Sequence, residues 1–327
     1  MNKIRYGIIG FGAFAERLIL PAIRASANSD IVAIQKRSLD AARAKAREHN
    51  IPHAFATADE LVKHSDVDAV FIVSVTSTHC PETLIAARAG KHVLVEKPMA
   101  MNVAEAEEMI RVCNERNVKL MVGHMVRLSP AVLRMKEIIK SGAIGRITFM
   151  KTEFVYDGRI SHRTWLVSPT IAGGGPIFDI GVHCLDTMRF LVDDEVVSAK
   201  SELSPQPTPT HSEATATVSL RFSRGTVGSI YCSYESAIRR SYIEIVGTEG
   251  AISAYEYTRS GIPIEVRVVR GEKDRIVEDR IEPFDLPDLY EREVTLFSEC
   301  ILNNTPSPIP GEVGLANQRV IDEAVRR

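Results

Sequence analysis

The chain has 327 residues, 45% of them hydrophobic and 25% charged, enough for two domains that each bury a core. A formal net charge of -2, with no zinc-finger spacing and no arginine-rich arm, argues against nucleic acid as a partner. The five cysteines (Cys80, Cys113, Cys184, Cys232 and Cys300) are scattered without a C-x-x-C pair, and no apolar run is long enough to span a bilayer. Reduced thiols in the cytoplasm, without a membrane partner, are expected.

In chain order, short apolar runs at 6–9, 31–34, 69–73, 92–95 and 119–122 predict strands, separated by stretches of helical period. Helix starts are marked by Thr57 with Glu60, by Asn102 with Glu105, and by Pro130 directly after Ser129. This is a βαβ series and predicts a parallel sheet buried on both faces, over residues 1–122. From 123 to 327 the pattern changes to longer alternating stretches at 214–222, 226–234, 242–246, 251–257 and 264–269, which predict a large open, mainly antiparallel sheet. Helical stretches near 287–303 and 312–327 close the chain, the last expected to pack back on the first domain. The expected fold class is therefore α/β, a Rossmann-like βαβ domain followed by an α/β domain with that open sheet.

The first strand runs into Gly10-Phe11-Gly12-Ala13-Phe14-Ala15, a G-x-G-x-x-A turn opening a helix. Glycine permits the tight turn and lets backbone amides approach a pyrophosphate at the positive helix end. The second strand ends in Gln35-Lys36-Arg37-Ser38. A carboxylate at this point accepts hydrogen bonds from the 2′-hydroxyl of NAD; here two cations and a hydroxyl favour a 2′-phosphate instead. NADP(H) is the favoured cofactor, with NAD(H) also compatible.

Three ordered motifs then carry a resemblance. They are Val73-Ser74-Val75-Thr76-Ser77-Thr78-His79, Glu96-Lys97-Pro98 after the fifth strand, and Gly173-Gly174-Gly175 leading to Asp179 and His183. With the glycine turn, they make the whole chain similar to the Gfo/Idh/MocA oxidoreductases, a family that includes glucose-fructose oxidoreductase and inositol dehydrogenase. The resemblance implies hydride transfer to or from a sugar, polyol or sugar derivative. It also implies Lys97, Asp179 and His183 around the nicotinamide, and a homodimer or homotetramer built through the second domain's sheet.

The residue types suit that chemistry. Alcohol oxidation removes a hydride from carbon and a proton from oxygen, so one group must hold a proton near neutral pH. His183 can do so as an imidazole, and Asp179, four residues earlier, falls on the same face of a helix starting near Pro176. Lys97 follows a strand end where ligands of an open parallel sheet collect, and its ammonium can stabilise an alkoxide. Which of Lys97 and His183 transfers the proton stays open. Asp179 and His183 have no further ligand at a recognisable spacing, so no metal is expected.

Alignment with the family adds Glu96, Ser74, Thr76, His79, Arg127 and Trp165 as cofactor contacts, with Arg127 alternatively a structural link. Leu166 departs from the family, where many relatives have Arg after the Trp. Tyr156, Asp157, Arg159, His162 and Arg163 form a polar stretch suited to substrate hydroxyls or to an exposed loop. Tyr231, Tyr234, Tyr242, Tyr255 and Tyr257 are expected on a sheet face or subunit interface. Two other readings compete: redox-assisted lyase or glycosidase chemistry on a retained nicotinamide, and a dinucleotide-sensing regulator without turnover.

Overall fold

A computed structural model describes residues 3–158 and 163–325. The chain divides into two compact units, one of residues 1–124 with 290–318, the other of residues 125–289 with 319–327.

The first unit is a six-stranded parallel sheet in the order β3-β2-β1-β4-β5-β6. Its strands are β1 (Ile4–Ile9), β2 (Ser29–Gln35), β3 (His53–Phe55), β4 (Ala69–Ile72), β5 (His92–Glu96) and β6 (Leu120–Gly123). All four residues of β4 are buried, so both faces of the sheet are covered, as continuous apolar runs require. Between the strands lie α1 (Leu20–Ala25), α2 (Leu39–Glu48), α3 (Ala58–Lys63), α4 (Thr76–Arg88) and α5 (Val103–Glu115). The Thr57 and Glu60 side chains cap each other's backbone amides at the start of α3. At α5, Asn102 caps Glu105, while the Glu105 carboxylate reaches one residue further back, to the amide of Met101. The three-residue edge strand β3 escapes the sequence pattern because it is short and nowhere fully buried.

The second unit holds an eight-stranded sheet, β14-β13-β12-β11-β7-β10-β9-β8, antiparallel throughout except for the pair β7 and β10. It comprises β7 (Ile147–Asp157), β8 (Val196–Ser204), β9 (Thr215–Phe222), β10 (Val227–Ser233), β11 (Glu235–Gly247), β12 (Gly250–Tyr255), β13 (Pro263–Glu272) and β14 (Arg275–Asp285). One face packs against α6 (Pro130–Lys140) and α8 (Val182–Val192), with α7 (Pro169–Ala172) just ahead of α8. The strict in-out alternation of β9 fits a sheet covered on one side. The chain closes with α9 (Leu289–Leu302) and α10 (Gly311–Val325).

Candidate active site

In the first unit the site grows from the carboxyl edge of the parallel sheet. Gly10 takes a φ of +83°, and a Cβ there would lie 2.6 Å from the Cα of Ser74. Glycine is thus required twice, by conformation and by the close approach of the loop after β4. Gly12 is different: a Cβ there would meet nothing nearer than 3.8 Å, and Gly12 and Ala13 are exposed. The turn is therefore open where backbone amides at a helix start can receive a pyrophosphate, so the residues fit a dinucleotide. The helix opens with a π turn, Ala15–Ile19, before α1. Phe11 is buried with its amide bonded to the Gln35 carbonyl at 2.9 Å, and Phe14 meets the Tyr290 ring edge-on at 5.7 Å.

Gln35 has a function the sequence did not signal. Its side-chain oxygen accepts from the Gly10 amide at 3.1 Å and its nitrogen donates to the Ala56 carbonyl at 2.8 Å. The three polar residues that follow then separate. The Lys36 ammonium folds back to the Phe11 carbonyl at 2.6 Å and reinforces the turn, and Ser38 caps α2 by accepting from the Ala41 amide. Arg37 is exposed.

The loop after β4 brings Ser74, Thr76 and His79 together, yet only in part as expected. Thr76 is buried, and Ser74 donates to Glu82 at 2.5 Å while accepting from Thr78 at 2.8 Å. Burial pushes the Glu82 carboxyl up to about 7 despite those hydroxyls. His79, expected to donate to the cofactor, is 1% exposed, with Nδ1 3.0 Å from the Pro98 carbonyl and Nε2 3.2 Å from that of Ser74. Burial holds its pKa down at about 4, so the ring is neutral and its one N–H is spent on a backbone carbonyl. His79 is a strut joining the loop after β4 to the turn after β5.

That turn carries Glu96, buried at the end of β5, and Lys97, half-buried, whose amide donates to the Glu96 carboxylate at 3.2 Å. Glu293 of α9, fully buried, lies in the field of Glu96; burial first and that charge second push its carboxyl well above the usual range. Both causes favour the neutral form of Glu293. His124 is buried with Nε2 3.1 Å from the Asn317 amide nitrogen.

In the second unit the polar centre is Asp179, 6% exposed, in a π turn (Ile177–Gly181) that runs directly into α8. The π turn replaces the regular helix expected from Pro176. Its carboxylate accepts from the hydroxyls of Tyr156 and Tyr234, each at 3.2 Å, and from the Arg163 guanidinium at 3.3 Å. Arg163 also donates to the Tyr156 hydroxyl at 3.0 Å. The carboxylate raises the pKa of both phenols further above what burial alone gives, so both remain donors. Tyr234 was expected on a sheet face or an interface and instead belongs to this cluster; Tyr257, fully buried, bonds Cys184, and Tyr242 stacks with Tyr255 across β11 and β12. His183, 7% exposed, lies on the first turn of α8 with its ring centroid 6.2 Å from that of Phe154.

Arg127, expected as a cofactor contact or domain link, closes both arms of its guanidinium on Asp186 of α8 at 2.7 and 2.8 Å. It ties the 3-10 turn Met125–Leu128 to the helix that bears His183. Trp165 is half-buried in the turn Thr164–Val167, and Leu166 points inward at 5% exposure. Arg163, three residues upstream of Leu166, brings its guanidinium to Asp179. Arg159 and His162 lie outside the described residues.

The comparisons agree with this architecture. Residues 4–124 match a family described as oxidoreductases with an NAD-binding Rossmann fold, and residues 132–253 match the GFO/IDH/MocA C-terminal domain. A 1,5-anhydro-D-fructose reductase of Ensifer adhaerens is 30% identical over 314 residues, covering 95% of this chain and 92% of that protein. An NADP-dependent D-xylose 1-dehydrogenase of Haloarcula marismortui is 28% identical, covering 98% of this chain and 89% of its own. Among solved structures, an aldose-aldose oxidoreductase of Caulobacter crescentus, in complex with glycerol, matches at a TM-score of 0.85 and 28% identity, covering 98% of this chain and 96% of that one.

Proposed function

The chain belongs to the Gfo/Idh/MocA family of NAD(P)-dependent oxidoreductases, and from that premise we propose that it moves a hydride between NADP(H) and a hydroxyl-bearing carbon of a sugar, polyol or sugar derivative. The observation that carries the reading is the position of Lys97. It follows β5 on the carboxyl edge of the parallel sheet, the edge on which the open Gly10-Gly12 turn also lies. In an open parallel sheet this edge is where a dinucleotide and its reaction partner meet. The substrate class draws on the relatives, whose names give an anhydro-fructose, a xylose and aldoses as their substrates.

The nicotinamide, when bound, supplies the hydride chemistry. The residues proposed to hold the cofactor are Gly10, Phe11, Gly12, Ala13 and Phe14 through the turn, Ser74 and Thr76 through the next loop, Glu96 and Lys97 after β5, and Trp165. Arg37, exposed at the end of β2, together with Ser38, is assigned the 2′-phosphate; Lys36 acts through the turn it braces. Lys97 donates a hydrogen bond to the reacting oxygen, and His183 takes or returns the hydroxyl proton on a ring nitrogen. Asp179 accepts from substrate hydroxyls or orients the imidazole, with its charge fixed by Arg163, Tyr156 and Tyr234.

Lys97→Met and His183→Asn each lose roughly 10²–10⁴ in kcat with a sugar substrate found by a panel of polyols, aldoses and ketoses, in keeping with removal of a proton-handling group. Unchanged turnover in both variants refutes the assignment. Arg37→Asp shifts the NADPH to NADH ratio of kcat/KM toward NADH by at least about tenfold, the loss of one charge-assisted contact; an unchanged ratio removes the cofactor preference.

The outward face of the second unit's sheet exposes Tyr255, Val277 and Ile281 at 62, 58 and 56%, which supports a homo-oligomer formed through it. A cytoplasmic location accords with five free, buried cysteines, and no helix among the described residues is long and apolar enough to cross a membrane.

A further inference from the structure

At the opposite, amino-terminal edge of the first unit's sheet, three metal-ligating side chains converge. His53 is the first residue of β3, His64 caps the carboxyl end of α3, and Asp66 lies in the turn into β4. His53 Nε2 stands 3.2 Å from Asp66 Oδ2, and His64 Nδ1 stands 3.9 Å from the same oxygen. The two imidazoles lie against each other with ring centroids 4.0 Å apart, and one ligand atom from each of the three residues falls within 4.8 Å of the other two. Zinc bonds to nitrogen and oxygen are about 2.0–2.2 Å long, so two ligands on one tetrahedral ion stand roughly 3.4 Å apart. The observed separations of 3.2 and 3.9 Å bracket that spacing.

The surroundings of the carboxylate are built in the same sense. Asp66 Oδ1 accepts from Arg5 Nη1 at 3.2 Å, which turns Oδ2 toward the imidazoles, as partners behind a metal ligand do. The charge of Arg5 is itself matched by Asp68, which it grips through Nε and Nη2 at 2.9 Å each. His64 Nδ1 accepts only a long 3.3 Å bond from the Asp66 amide, so that nitrogen carries no proton, and an ion would take its lone pair in place of this bond. The side chains of His53, His64 and Asp66 are 31, 29 and 48% exposed, which gives an ion a way in and leaves a fourth position for water. Beside them lies a hollow of about 310 Å³.

The geometry points to a zinc-type divalent cation site made by His53, His64 and Asp66, remote from the cofactor edge. Two imidazoles and one carboxylate are a nitrogen-rich set that favours zinc over magnesium or calcium. Its effect is structural: the ion joins the short edge strand β3 and the end of α3 to the turn before β4.

The test uses the full chain after dialysis against a chelator. Equilibrium dialysis with Zn²⁺ should load one ion per chain, and Co²⁺ in its place should show the visible bands of a four-coordinate site. His53→Gln and His64→Gln should each weaken Zn²⁺ binding at least tenfold and abolish the cobalt spectrum, with folding verified by circular dichroism. Zinc should raise the melting temperature of the native chain and not that of the double variant. Hydride transfer by the stripped protein should be unchanged, so this site and the proposed activity fail independently. The proposal is overturned if the native chain takes up no zinc, or if the double variant retains it with equal affinity, as would follow from binding at the other acidic group, Glu16, Glu48 and His49. If a variant misfolds, His49→Gln serves in its place: it should leave zinc uptake unchanged, and loss of uptake there overturns the proposal.

Discussion

The two units build their polar centres by opposite means. In the first, the centre rests on backbone: a glycine turn exposed at Gly12 and Ala13, strand ends, and side chains such as Gln35, Lys36 and His79 that spend their hydrogen bonds holding the main chain in place. In the second it rests on side chains, with Asp179 fixed by two phenols and a guanidinium, and Asp186 by Arg127. A backbone site depends on spacing along the chain. A side-chain site depends on which distant residues the sheet happens to bring together, and so it is exposed to single substitutions.

The largest effect expected from that contrast is in the second unit. Arg127→Ala takes both arms of the guanidinium away from Asp186, 1% exposed, and a loss of about 3–5 kcal/mol of stability should appear in urea unfolding. If the loss is below about 1 kcal/mol, the clamp is not what holds the turn before α6 to α8.

Next comes Glu82, a half-buried side chain in the first unit that the fold would be more stable without at neutral pH. Unfolded, it titrates near ~4.3; folded, at about 7. The fold therefore favours its protonated form, and that contribution is full below about pH 4.3 and is lost as pH rises toward 7. Glu82→Gln removes the loss. The variant should match the native chain at pH 4.3 and exceed it by up to about 3 kcal/mol above pH 7, read from melting temperatures across that range. A constant difference at every pH would show that Glu82 is braced by more than its two hydroxyl partners.

The smallest effect concerns Tyr234. Removing its hydroxyl takes a donor from Asp179, and Tyr234→Phe should cost about 1 kcal/mol of stability or a several-fold loss in kcat/KM. No effect on either would mean that the Tyr234 hydroxyl does not help to set the carboxylate.

The same contrast governs how much could be read from the sequence. The Rossmann unit was legible because its signals are local: apolar runs of strand length, the Thr57 and Glu60 cap, and Gly10 and Gly12 at fixed spacing. Only the edge strand β3, half-buried along its length, lacked a signal. The eight-stranded sheet was visible in type but incomplete, since β7, β8 and β14 carry mixed or exposed patterns. Asp179 could be named from its motif, but not Tyr234, which lies 55 residues later and reaches it only through the pairing of β10 beside β7. Gln35 and Glu293 were equally silent, because a lone amide or carboxyl in an apolar stretch does not announce its partner.

Gln35 has one more consequence. The residue that braces the glycine turn is an uncharged amide, used at both ends, while the exposed Arg37 two positions on takes no part in that bracing. On the reading of Arg37 proposed above, rigidity and discrimination fall to different side chains. An evolving lineage can exchange one nucleotide for another at the surface position without loosening the scaffold beneath it.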